Sequence, residues 1–183
     1  MNRSNTVLKG RLDLQRIGVS GHSFGGYTAM AIAGQNNAKH KLGDGRDKRV
    51  KAVVQMSAPV AKVRVRGYAY DAVSLPVFHM TGTNDESPLN TTTAADRRVP
   101  YDLTKEEACL VVFKDGDHAI FSGRKRLSRK ARGQDEVFHW HICRSTTAFW
   151  DAHLRGNKDA WKWLMEGAFQ RELARAGTFE ARR

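Results

Sequence analysis

Arg16-Ile17-Gly18-Val19-Ser20-Gly21-His22-Ser23-Phe24-Gly25-Gly26 carries the reading of this chain. Ile17, Val19 and their small neighbours predict a short strand over residues 16–20. Phe24 to Gly34 is rich in Ala, Met and small residues and predicts a helix. Between them stands Gly21-x-Ser23-x-Gly25, a pattern with mechanical meaning only at a strand-to-helix junction. A serine there must sit on a turn tight enough for flanking side chains to clash. The glycines two before and two after are expected to remove those clashes. Such a turn lifts the Ser23 hydroxyl above the carboxyl edge of a sheet. It also aims the Phe24 backbone N–H at the same point, where it can bind an oxyanion.

Further strands are predicted at Val50–Met56, which is β-branched, at Leu75–Thr81, opened by Pro76, and at Cys109–Phe113. Residues 36–47 are polar and read as a loop. Beyond residue 134 the period changes. Phe138, Ile142, Ser145, Phe149 and Ala152 recur at helical spacing, and Gly156 is expected to end that helix. Trp161, Leu164, Met165 and Ala168 predict one further, terminal helix. Strands alternating with helices imply an α/β domain with a mainly parallel sheet. A length of 183 residues fits a single such domain.

A nucleophilic serine needs a base, and the base needs an orienting acid. At nucleophile elbows of this kind the chain order is Ser, then acid, then His. The third strand runs into Gly82-Thr83-Asn84-Asp85-Glu86-Ser87-Pro88, and the fourth into Lys114-Asp115-Gly116-Asp117-His118. Asp85 is the preferred orienter, with Glu86 the adjacent alternative, and His118 is the base. All three residue types lie just past a strand's carboxyl end, in the required order.

On these residues the chain resembles the C-terminal part of an α/β-hydrolase. It is similar more narrowly to the dienelactone hydrolase-like esterases, including relatives of bacterial platelet-activating-factor acetylhydrolase and polyester hydrolases. The likeness rests on residues 12–26, on Gly82 to Pro88 and on Gly116-Asp117-His118, and spans roughly residues 10–155. It implies a serine esterase with Ser23 as nucleophile, Asp85 as orienter and His118 as general base, without a cofactor. Complete members of the family carry more strands before the nucleophile strand; here about fifteen residues precede it. Those strands normally supply a second oxyanion donor and cover one side of the nucleophile strand. The resemblance therefore implies an incomplete domain with an exposed sheet edge, from a truncated origin or completed as a homodimer.

Other residues carry weaker signals. Phe24, Tyr68 and Phe121 are expected to line the substrate site. His22 is expected to pack locally beside the elbow, and His79 to be a core histidine. Asp117 either tunes His118 or holds a turn. His139, His141 and Cys143 are a poor zinc set, because His141 leaves the face the other two share. The four tryptophans suit core or partner packing better than an acyl-binding surface. Residues 87–102 form a lid or a long connection.

Composition narrows the classes. The formal net charge is +12, with 31 Lys and Arg against 19 Asp and Glu. Six basic residues fall in Gly123–Arg132, which reads as a solvated loop face or an anion-attracting run. No aromatic interleaves it, so nucleic acid is not the expected partner; a small-molecule ester is. Two cysteines make no disulfide framework. No stretch is apolar enough for a membrane span, and no apolar leader follows Met1, which with a true start there implies a cytoplasmic protein. The alternative to an esterase is a weak or inactive hydrolase-like module acting through a partner or its basic surface.

Overall fold

A computed structural model of the chain describes residues 6–36, 45–60, 66–87, 92–123 and 129–183. Five strands form one sheet in the order β1-β2-β3-β4-β5. They are β1 (Ile17–His22), β2 (Val50–Met56), β3 (Val77–Asn84), β4 (Ala108–Asp117) and β5 (Gly177–Arg182). β1 to β4 run parallel, and β5 pairs antiparallel with β4. The helices are α1 (Phe24–Ala33), α2 (Val99–Leu103), α3 (Arg129–Arg155), α4 (Lys158–Met165) and α5 (Ala168–Leu173). The result is an α/β fold with a mostly parallel sheet between helical layers.

Strand periodicity separates the two cores. Val53 and Val77 face α1 and pack with Ala29, Met30, Ala33 and Tyr70. Val54, Phe78, Met80 and Val111 turn the other way, onto Phe138 and Phe149 of α3, Leu164 of α4 and Phe169 of α5. Because both faces are covered, β2 and β3 are buried along most of their length, with the polar Gln55, His79 and Thr81 buried among the apolar residues. β1 differs: it lies at the sheet edge, and none of its six residues is fully buried. Gly18 of β1 lets α3 approach, since a Cβ there would stand 2.6 Å from the Trp150 ring.

Several sequence expectations are corrected in detail. The strands extend to His22, Asn84 and Asp117, so they carry more of the site loops than expected. β3 begins at Val77, after Pro76. The terminal helix is two helices, broken where Gly167 adopts a left-handed φ of 86°. β5 was not expected from sequence, nor was the short α2 inside the connection after Asp85. Gly156, at φ 67°, does end α3, and the Asn157 side chain then caps α4 by accepting from the N–H groups of Asp159 and Ala160. Most of the polar loop at 36–47 and Arg124–Ser128 of the basic run lie outside the described residues. No helix of the described residues is long and apolar enough to cross a membrane.

Candidate active site

β1 delivers Ser23 to the carboxyl edge of the sheet with φ 57° and ψ −125°. That is the mirror image of an ordinary extended conformation, which L-residues avoid. Holding a serine there costs on the order of 1–3 kcal/mol and needs support from its surroundings. The support is visible: Ser23 N–H donates to the Met56 carbonyl at 2.9 Å, tying the turn to the end of β2. The glycines act differently from expectation. A Cβ on Gly21 would meet the Gly25 carbonyl carbon and oxygen at 2.1 Å, so Gly21 is sterically required. A Cβ on Gly25 would meet nothing within 4 Å; the second tight position is Gly26, against the Gly21 carbonyl and Ala58. Phe24 opens α1, so its N–H has no intrahelical acceptor and is available to an anion.

The acid stands two strands away. Asp85, beyond β3, is fully buried, whereas Glu86 is exposed. Asp85 Oδ2 accepts from Thr81 Oγ1 at 2.9 Å, and Oδ1 accepts from Ser57 Oγ at 2.7 Å. His118 Nδ1 lies 3.0 Å from the same Oδ1. The His118 side chain keeps 22% of its surface exposed, so one side of the ring rests on a buried carboxylate and the other is accessible. The structure thus brings Asp85, and not Glu86, against His118.

A buried cation completes this cluster. Arg97, 2% exposed, sends Nε to the Asp85 carbonyl at 3.0 Å and Nη1 to the Ser57 carbonyl at 2.7 Å. Its Nε also stands 3.4 Å from Asp85 Oδ1, and its Nη2 3.4 Å from His118 Nδ1. Burial pulls the Arg97 pKa below the ordinary guanidinium value, and the Asp85 charge works against that pull. Neither ion of this pair would be tolerated alone at such depth.

The two groups nearest Nδ1 favour one imidazole tautomer. It faces the Ser57 hydroxyl oxygen at 2.6 Å and the Asp85 carboxylate at 3.0 Å, both able to accept. A proton on Nδ1 satisfies this arrangement and leaves the Nε2 lone pair free to act as a base. His118 also packs on the elbow itself. Its ring centroid is 4.7 Å from that of His22, the residue before Ser23. Burial first, and then the neighbouring His118 ring, hold the His22 pKa below its ordinary value, so His22 packs as a neutral ring. Among the described residues no hydrogen bond joins Ser23 Oγ to His118.

The remaining expectations separate. Phe121 packs 5.9 Å from the His22 ring and braces the 3₁₀ turn that carries His118. Phe24 and Tyr68 are 61% and 56% exposed. Tyr68 shares no hydrogen bond or ring contact with Ser23, Asp85 or His118 among the described residues. Asp117 holds a turn, its carboxylate accepting from Ala119 N–H at 2.9 Å. His79 is buried, bonded to Gln55 at 2.9 Å, and its pKa is driven down to about 3 by burial first and the Arg182 charge second. His139 bonds the Ile120 carbonyl and Cys143 is exposed; no group of the described residues is arranged to hold a metal ion. Trp150, Trp161 and Trp163 pack against the core, and Trp140 is exposed.

Sequence reasoning did not identify Ser57, Thr81 or Arg97. Ser57 had a usable signal: like Ser23 it follows a parallel strand directly, where ligand-facing residues collect. Arg97 had none, being one arginine in a polar connection. No protein-family model matches the chain, and no curated protein matches it in sequence.

Proposed function

We propose that the chain is a serine hydrolase of the α/β-hydrolase type, cleaving a carboxylic ester through an acyl-enzyme. The observation that carries the reading is the contact of His118 Nδ1 with buried Asp85 at 3.0 Å, beside an elbow that holds Ser23 at φ 57°. In this reading His118 Nε2 takes the Ser23 Oγ proton as Oγ attacks the ester carbonyl carbon. The oxyanion gathers on the Phe24 N–H, and Asp85 stabilises the imidazolium. His118 returns the proton to the leaving alcohol. Water, deprotonated by the same imidazole, then hydrolyses the ester bond to Ser23 and frees the acid.

A second reading, a hydrolase-like module without turnover, is favoured by the missing Ser23–His118 hydrogen bond. Apo sites often carry that bond long, so it discriminates less than the buried half of the site does. The second reading also fits β1 as the edge strand of the sheet formed by the described residues, a place where another strand, such as one from a second copy, could pair. Hydrolysis of p-nitrophenyl acetate separates the two. The expected result is turnover by the full chain that Ser23→Ala abolishes with an unchanged circular dichroism spectrum. Equal turnover in Ser23→Ala would place the nucleophile elsewhere, and a folded chain without turnover would favour the second reading.

A further inference from the structure

Ser57 is a buried serine that the hydrolase reading does not use. It has no exposed surface, and it directly follows β2. Its backbone is held from both sides: its N–H donates to the Met80 carbonyl at 2.8 Å, and its own carbonyl accepts from Arg97 at 2.7 Å. Between those anchors it adopts φ 53°, a left-handed conformation that costs a non-glycine residue. Glycine would take that φ without penalty. What serine adds at this point is one hydroxyl, and that hydroxyl lies between the two titratable groups of the site.

The distances order the protons. Ser57 Oγ is 2.6 Å from His118 Nδ1 and 2.7 Å from Asp85 Oδ1, both shorter than the direct Nδ1–Oδ1 separation of 3.0 Å. The carboxylate can only accept, so the Ser57 proton points to Asp85. The oxygen lone pairs then face His118 Nδ1–H. Arg97 Nη2, 3.4 Å from Nδ1, can only donate and so pulls towards the opposite arrangement, with an unprotonated Nδ1; it is the longest contact at Nδ1, against 2.6 Å to the Ser57 oxygen and 3.0 Å to the Asp85 carboxylate.

We infer that Ser57 is a positioning residue of the site, its hydroxyl relaying the hydrogen bond from His118 Nδ1–H to the Asp85 carboxylate and fixing the tautomer that leaves Nε2 basic. This inference rests on the serine hydrolase reading for its catalytic consequence. The hydrogen-bond relay itself does not depend on turnover.

The test is Ser57→Gly in the full chain, which suits φ 53° and removes only the hydroxymethyl group. Two readouts are needed. Nitrogen-edited NMR of the imidazoles, assigned with His118→Ala, follows the His118 Nδ1–H proton. Hydrolysis of p-nitrophenyl acetate gives kcat and KM separately. The expected result is a His118 Nδ1–H resonance that shifts or exchanges away in Ser57→Gly. A charge-assisted hydrogen bond of ordinary strength further implies a kcat lower by about ten- to a hundredfold at unchanged KM. A His118 resonance unchanged in Ser57→Gly would overturn the relay. An altered resonance with kcat within twofold of the parent would overturn the positioning role. If the parent chain shows no Ser23-dependent turnover, the hydrolase reading fails on its own, and the NMR arm still decides the relay.

Discussion

Replacing Arg97 by methionine removes a buried cation while keeping much of its length, and the cost follows from its three attachments. Its Nε stands 3.4 Å from Asp85 Oδ1, and its guanidinium also holds the Asp85 and Ser57 carbonyls at 3.0 and 2.7 Å. At an effective dielectric of about 20, unit charges at that separation attract by about 5 kcal/mol. The guanidinium's own desolvation offsets part of this. The variant, however, leaves Asp85 buried with its cation gone and two carbonyls short of donors. Breaking a buried pair from one side costs about 3–5 kcal/mol, and Thr81, Ser57 and His118 still hold the carboxylate. The expected loss is therefore about 3–5 kcal/mol, against a total near 5–15 kcal/mol for an ordinary domain. Urea unfolding of the parent and Arg97→Met reads it directly. Asp85→Asn with Arg97→Met in one chain should lose less than the sum of the two single variants, because the charges leave together. A loss below about 1 kcal/mol in Arg97→Met would refute the view that this pair anchors the acid loop.

Other substitutions probe the elbow and the core. Gly21→Ala forces a Cβ to 2.1 Å from the Gly25 carbonyl group, and should cost about 3 kcal/mol or more in unfolding free energy. Gly25→Ala meets no atom within 4 Å and should leave stability unchanged or raise it by up to about 1 kcal/mol; a loss as large as that of Gly21→Ala would contradict the geometry. Ser23→Gly relieves φ 57°, ψ −125°, and should raise the unfolding free energy read from urea titration by about 1 kcal/mol while losing all ester turnover. His79, held at a pKa of about 3 against an ordinary 6.5, stays neutral in the fold while the unfolded chain takes up a proton. Its contribution to stability is complete above pH 6.5 and is lost as the pH falls towards 3, so the urea midpoint should decline through that window and decline less in His79→Leu. Equal slopes would assign the decline to other groups.

The parts of the fold legible in sequence are those fixed by local pattern. Val50–Met56 is a strand at those bounds because its valines cover both sheet faces. Ser23 and His118 stand at strand ends because their loops carry turn glycines at fixed offsets, and the glycines themselves take the close approaches, Gly82 lying against the Gly116 backbone. β5 was illegible because only Phe179 among its residues is buried; its ladder with β4 forms the strand, and its own pattern does not. The break at Gly167 interrupts a continuous apolar stripe, so spacing alone joined α4 to α5. Arg97 stayed hidden because its partners are two carbonyls and a carboxylate brought together from β2 and β3. No periodicity encodes such a contact.

Fluorophosphonate labelling of the full chain, read by peptide mass spectrometry beside His118→Ala, addresses the central claim with the least chemistry in between. The expected result is phosphonylation at Ser23 in the parent and none in His118→Ala, because Oγ becomes nucleophilic only when Nε2 removes its proton. A folded parent chain that takes no label, or that is labelled at Ser23 equally well without His118, would contradict the account.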